Sequence, residues 1–286
     1  MRRGLSIFAG ALLVLLAGVL AAAMIGRYTF NRSVDQEISD LFQRTSAAES
    51  SILTEADIAH LPAPVQRWLH YSNVVGLERP ETVRLKQEGE IRLGPDEAWM
   101  PFTAEQYYTT DPPSFIWKID TSMMSVIPIS GRDRYVDGRG NMTIKVASLI
   151  PVVDETGEHM DQGTLVRYLN EIFWFPAGAV SEYITWEAID DNSAKAEMTY
   201  GGMTVEATFY FDDEGRPVNM MAPRYQDAGN GEIKWLPWWT PIHEYGEFDG
   251  VRMGVAGEAY WEEDWGDFTY VRLRLLDVEY NVPERY

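Results

Sequence analysis

The chain has 286 residues, enough for one large domain or two small ones with a sizeable core. Its 44 acidic residues outnumber 24 basic ones, and a net charge of -20 repels nucleic acid, so nucleic-acid binding is excluded. It contains no cysteine, which excludes disulfides, thiolate metal sites, a cysteine nucleophile and a lipid-modified cysteine anchor.

Leu5 to Gly26 carries no charged residue and is long enough to cross a hydrocarbon layer of roughly 30 Å as a helix. Arg2 and Arg3 precede it and Arg27 and Arg32 follow, then Asp35, Glu37 and Asp40. The positive-inside tendency places the N-terminus in the cytoplasm and everything after residue 27 outside. A cleaved signal peptide is the alternative, because Ala21-Ala22-Ala23 offers an A-x-A site. Both readings export the domain. Removing Arg2, Arg3 and Arg27 from the 24 basic residues leaves 21 against 44 acidic ones, so the exported part is the acidic part.

Ser33-Val34-Asp35-Gln36 reads as a capping box that starts a new helix, with Val34, Ile38, Leu41, Phe42 and Thr45 on one face. Ser46 to Ser51 is small and polar and reads as a break. Thr54 caps a short turn through Ile58, and Pro64 suits the start of a helix whose apolar face is Val65, Trp68 and Leu69. These helices are expected to form a stalk and lid rather than a core.

From Thr82 the period changes to two. Val83, Leu85, Gln87, Gly89, Ile91 and Leu93 fall on one face, and Arg84, Lys86, Glu88, Glu90 and Arg92 on the other, predicting an antiparallel strand wet on one side. Met203, Val205, Ala207, Phe209 and Phe211 alternate as cleanly, as do Ala194, Ala196, Met198 and Tyr200. Tight-turn signals such as Asp137-Gly138, Gly201-Gly202 and Asp249-Gly250 separate the runs. About ten strands are expected between residues 82 and 280, in a sheet that must curl or close. One amphipathic helix interrupts them, with Leu165, Val166, Leu169, Ile172 and Phe173 on its apolar face and Arg167, Asn170 and Glu171 opposite. Such a helix packs its apolar face into the concavity.

The fold class is therefore mainly β: a curled antiparallel meander or half-barrel with an inserted amphipathic helix, preceded by a transmembrane helix. The expected organisation is an anchor or signal segment over 1–27, a helical stalk and lid over 28–80, and a β domain over 81–286 containing the helix 162–175.

No motif assigns a reaction. His60, His70, His159 and His243 lack metal-ligand spacing, and no nucleophile elbow or phosphate-binding loop is present, so neither a cofactor nor a metal ligand set is expected. Glu258, Glu262, Glu263 and Asp264 lie near Tyr260, Trp261 and Trp265, a composition compatible with glycoside chemistry or with a solvated acidic loop. The aromatic clusters Phe173-Trp174-Phe175 and Trp235-Leu236-Pro237-Trp238-Trp239 either pack the core or line an apolar pocket. In the second reading Leu169, Phe173, Trp174, Trp238 and Trp239 line one ligand cavity.

Leu61-Pro62-Ala63-Pro64-Val65-Gln66-Arg67-Trp68-Leu69, Trp99-Met100-Pro101-Phe102-Thr103-Ala104-Glu105-Gln106, Tyr135 to Gly140 and Arg167 to Pro176 carry a resemblance. They resemble a family of uncharacterised bacterial and archaeal membrane proteins, a domain of unknown function that implies no catalytic residues. The curled sheet with a helix is also similar to lipoprotein carriers of the LolA type, which hold acyl chains in a half-barrel. Three functions are carried forward: an envelope protein binding a lipid or other hydrophobic ligand, an exported enzyme such as a glycan hydrolase, and an acidic protein-interaction module.

Overall fold

The computed structural model describes residues 2–45, 51–123, 127–228 and 232–286, with side chains described from Gly18 onward, Leu20 excepted. The expected break at 46–51 therefore lies almost wholly outside the described residues. Most of the uncharged stretch Leu5 to Gly26 lies outside the described side chains. Among the described residues no helix is long and apolar enough to cross a membrane.

Helix α1 runs unbroken over Arg2–Phe42, and short helices α2 (Glu55–Ile58) and α3 (Ala63–Tyr71) follow. The predicted helix start at Ser33 is not there. No proline or glycine lies between Arg27 and Ser33 to interrupt the helix there, and Gln36 donates forward to Asp40 (2.8 Å) instead of back to a cap. Thr54 does initiate α2, its backbone N–H donating to Asp57 Oδ2 (2.8 Å).

Strands β1 (Thr82–Ile91), β2 (Met100–Thr110), β3 (Pro113–Met123), β4 (Ile127–Val136), β5 (Arg139–Val146) and β6 (Ile150–Thr156) form an antiparallel meander. Helix α4 (Glu158–Glu171) and two 3-10 turns lead to a second meander. Its strands are β7 (Ile184–Asp190), β8 (Ser193–Tyr200), β9 (Met203–Phe211), β10 (Pro217–Asp227), β11 (Ile233–Trp239), β12 (Ile242–Phe248), β13 (Val251–Glu263) and β14 (Gly266–Tyr280). Strand β1 pairs with β14, which joins the two meanders into one sheet. The long β13 pairs with β11 near Trp261 and with β12 along its first half.

The described residues thus hold fourteen strands where the alternation predicted about ten. Strand β6 shows no alternation because it is an outer edge, with Ile150 and Val152 exposed. Strand β12 is broken by two register shifts.

The sheet curls until its distal hairpins touch. The turns Asp137-Gly138 and Gly201-Gly202 have positive φ at both residues, as two-residue hairpins require, and they meet through Gly138 and Gly201. Helix α4 lies inside the curl. Gly140 of β5 leaves room for it, since a Cβ there would sit 2.5 Å from the Met160 carbonyl oxygen. Leu165, Val166, Leu169, Ile172 and Phe173 are buried in the principal core with Phe209, Ala196 and Met198.

The stretch expected as stalk and lid contributes to the cores. Val65, Trp68 and Leu69 of α3 are fully buried, and Trp68 stacks on Phe209 with ring centroids 6.1 Å apart. On the outer side, Phe30, Val34, Ile38, Leu41 and Phe42 of α1 cover Tyr107, Ile116 and Val136. The sheet is therefore buried on both faces along β2–β4, against the half-wet expectation. The ion pairs Arg132–Glu37 (3.0 Å) and Lys118–Asp35 (3.7 Å) flank this contact.

Candidate functional site: a cavity between helix α4 and the concave sheet

Register lays out the concave face. Leu85, Gln106, Trp117, Asp133, Met142 and Glu155 are successive cross-strand partners from β1 to β6, so they form one row. Arg167 of α4 lies over this row. It donates to Asp133 Oδ2 (2.8 Å), Glu171 Oε1 (2.7 Å) and Gln106 Oε1 (3.3 Å), and its guanidinium carbon is 4.5 Å from the Trp117 ring centroid. The other Glu171 oxygen accepts from Gln106 Nε2 (2.7 Å) and from the Tyr108 hydroxyl (3.0 Å).

Burial opposes the Arg167 charge, but Glu171 and Asp133 outweigh it and raise its pKa above the ordinary arginine value. Burial pushes the Glu171 carboxyl up from the usual glutamate range, against the pull of Arg167. Burial and the neighbouring Glu171 also raise the Tyr108 phenol. Asp133 Oδ1 is buried with no hydrogen-bond partner among the described residues.

The polar side of α4 is thus not a wet face. Glu171 is 5% exposed and Asn170, which donates to Thr240 Oγ1 (2.7 Å), is 9% exposed. Helical spacing separated the two faces correctly, but it does not say what lies opposite, and here the curled sheet lies on both sides.

A cavity of about 540 Å³ opens against this polar side. Its walls are mostly apolar and aromatic: Phe173 and Trp174 beyond the helix, Trp117, Met142 and Ile144 from the first meander, and Trp238, Trp261 and Tyr270 from the second. The Trp238 indole N–H is satisfied by the Tyr270 hydroxyl (3.1 Å), which leaves the ring for apolar contact. Size and lining fall within the range of small-molecule sites.

Of the five side chains expected to line one cavity, Phe173, Trp174 and Trp238 do so. Leu169 is fully buried in the core beside it. Trp239 lies off the cavity, because successive strand residues point to opposite faces. Its ring stacks between Tyr210 and Tyr260, at 6.0 and 6.2 Å, and its N–H donates to Glu262 (2.9 Å). Trp117 and Arg224 were missed. The alternation Phe115, Trp117, Ile119 carried the signal for the first, while no local pattern marks the second. Three of the four acids that suggested glycoside chemistry are engaged: Glu258 with Arg272 (3.3 Å), Glu262 with Trp239 (2.9 Å), and Glu263 with Lys234 (3.0 Å).

Residues 51–273 match the model of DUF6544, a family of unknown function. The chain belongs to the DUF6544 family. This agrees with the resemblance carried by the Leu61–Leu69 and Arg167–Pro176 stretches. No curated protein matches this DUF6544 chain in sequence. Among solved structures it is similar to a DUF1329 family protein from Desulfovibrio piger, at 8% identity and a TM-score of 0.44, over 77% of this chain and 92% of that one. It is also similar to a LolA superfamily protein from Nitrosomonas europaea, at 10% identity and a TM-score of 0.42, over 76% and 93% of the two chains.

Proposed function

We propose that this chain is a membrane-anchored envelope protein that holds a lipid or other hydrophobic ligand inside its curled sheet. The observation that carries this reading is the cavity of about 540 Å³ walled by Trp117, Phe173, Trp174, Trp238 and Trp261. A wholly packed core would leave no such space. Each buried methylene contributes roughly 0.8 kcal/mol, so an eight-carbon chain gains about 6 kcal/mol before ordering costs.

Anchoring by the uncharged stretch Leu5 to Gly26, with the β domain outside the cytoplasm, belongs to the same reading. The exposed apolar side chains Val19, Met24 and Ile25 on α1 support it, since they suit an apolar surrounding better than water. A reporter fused after Tyr286 should be active only outside the cytoplasm.

Native mass spectrometry of the full-length chain, released from detergent, tests the ligand. A co-purifying lipid mass is expected, and Trp238→Glu should lose it, because an unpaired charge in the cavity is costly. Bare protein mass in the wild type, with no uptake of added fatty acid, would exclude the carrier reading.

A further inference from the structure

Among the described residues three arginines line the cavity, and they are not equivalent. Arg167 is neutralised by Asp133 and Glu171. Arg92 donates to the carbonyls of Thr269 (2.7 Å) and Pro95 (2.9 Å), so its donors point into the β14 backbone and the turn that follows β1. Arg224 differs from both. Among the described residues only its Nε is used, donating to the Gly163 carbonyl (3.1 Å), and no carboxylate lies within ion-pair distance of it. Its guanidinium lies between aromatic rings, 4.6 Å from the Trp238 centroid and 5.6 Å from the Trp261 centroid.

This placement is built. Strand β9 pairs with β10 only as far as Met221, which leaves the backbone beyond unpaired on that side. The Gln162 amide fills the gap, donating to the Pro223 carbonyl (3.0 Å) and accepting from the Tyr225 N–H (3.3 Å), so the backbone on either side of Arg224 is pinned to α4. Gly163 then lies directly under the side chain: a Cβ there would sit 3.3 Å from Arg224 Nε and 3.6 Å from Nη2.

A chain with 44 acids and 24 bases has carboxylates to spare, yet this cation faces aromatic rings and, among the described residues, no carboxylate within ion-pair distance. Aromatic faces compensate a guanidinium only in part. A carboxylate or phosphate accepting from its two Nη groups would complete the site, in the fork geometry that arginine favours. The mouth carries the exposed carboxylates Glu155 and Glu158, which repel small free anions. The ligand that satisfies both conditions draws its binding energy from an apolar tail.

We infer that the cavity selects an amphiphile with an anionic head group, and that Arg224 receives the head while the aromatic walls hold the tail. This rests on the proposed hydrophobic-ligand function and names the class of its ligand.

The test uses full-length chain in its own membranes, photolabelled with diazirine-bearing palmitic acid, with cross-links mapped to peptides. Unlabelled palmitate should block cavity labelling at a concentration at least about tenfold lower than hexadecanol, the head group being worth one charge-assisted bond or more. Inorganic phosphate should not compete. In Arg224→Gln the preference for palmitate over hexadecanol should disappear while labelling persists, and Arg224→Lys should retain part of it. A thermal melt of each variant reads folding separately. Equal competition by palmitate and hexadecanol in the wild type would overturn the head-group assignment while leaving the carrier reading intact, as would an unchanged preference in a folded Arg224→Gln. Competition by inorganic phosphate alone would make the site one for free anions, against the proposal. Absence of saturable cavity labelling by either lipid would remove both readings together.

Discussion

Gly138 and Gly201 meet backbone to backbone: a Cβ on Gly201 would lie 2.5 Å from the Gly138 Cα, and one on Gly138 would lie 2.6 Å from the Gly201 Cα. They occupy hairpin turns from opposite meanders, so this contact closes the curl at the end that α4 fills. Gly138→Ala meets both the steric contact and a φ of +75°, whereas Gly202→Ala has a φ of +82° but nothing within 4 Å. The strained φ alone costs about 1–2 kcal/mol. Gly202→Ala should lose about that amount in urea unfolding, and Gly138→Ala should lose clearly more. Equal losses would mean that the two turns contribute nothing to each other.

Arg167 should be indispensable as long as its carboxylate partners remain. Arg167→Met leaves Asp133 and Glu171 buried without a counter-charge and is expected to cost about 3–5 kcal/mol. Combining it with Asp133→Asn and Glu171→Gln should restore part of that loss, because no buried charge is then left over. Chemical denaturation of the single and triple variants checks the ordering.

Phe209 is fully buried and its ring contacts Trp68, Phe173 and Trp186, with centroids 4.9 to 6.1 Å away. Phe209→Ala should cost about 3–5 kcal/mol. Thr208 points to the other face and is only half-buried, so Thr208→Lys should change stability by less than about 0.5 kcal/mol. Comparable losses at the two sites would show that the outer face of β9 is also tightly covered.

Alkaline pH should unfold the protein steeply. Burial raises the phenols of Tyr108, Tyr135 and Tyr168 above their ordinary value. The unfolded phenol ionises first, so above a pH of about 10 the folded state holds the extra protons. Stability then falls by up to about 1.4 kcal/mol per pH unit for each such tyrosine, and below pH of about 9 they have no effect. The Tyr135 hydroxyl is buried with no partner among the described residues. Tyr135→Phe should therefore leave neutral-pH stability within about 0.5 kcal/mol of wild type and flatten the alkaline slope. Ultraviolet titration of tyrosinate alongside circular dichroism reads both.

The periodic parts of the fold were legible in the sequence. Strands β1 and β9 alternate because one face meets a continuous core, and Leu165, Leu169 and Ile172 mark the core side of α4 for the same reason. What was hidden depends on elements far away in the chain. The row Gln106, Trp117, Asp133 exists only through strand register, and nothing local to Arg167 or Glu171 says that the sheet curls around to bury them. Trp238 and Trp239 were grouped by adjacency, although strand geometry sends neighbours to opposite faces. The helix start at Ser33 failed because a local cap signal cannot interrupt a helix that arrives already formed.

The pairing of β1 with β14 also sets a timetable. Val83 lies opposite Tyr280, so the seam of the sheet joins its earliest strand to its latest. At about 5–20 residues per second a ribosome delivers β14 roughly ten seconds or more after β1. Through that interval β1 pairs with β2 on one side and carries a bare hydrogen-bonding edge on the other. The two meanders can each zip up from local hairpins, but their union is a late, long-range closure of the slow kind. An unpaired edge recruits other strands, so a holding chaperone has a defined place to act on the nascent chain, the open side of Thr82–Ile91.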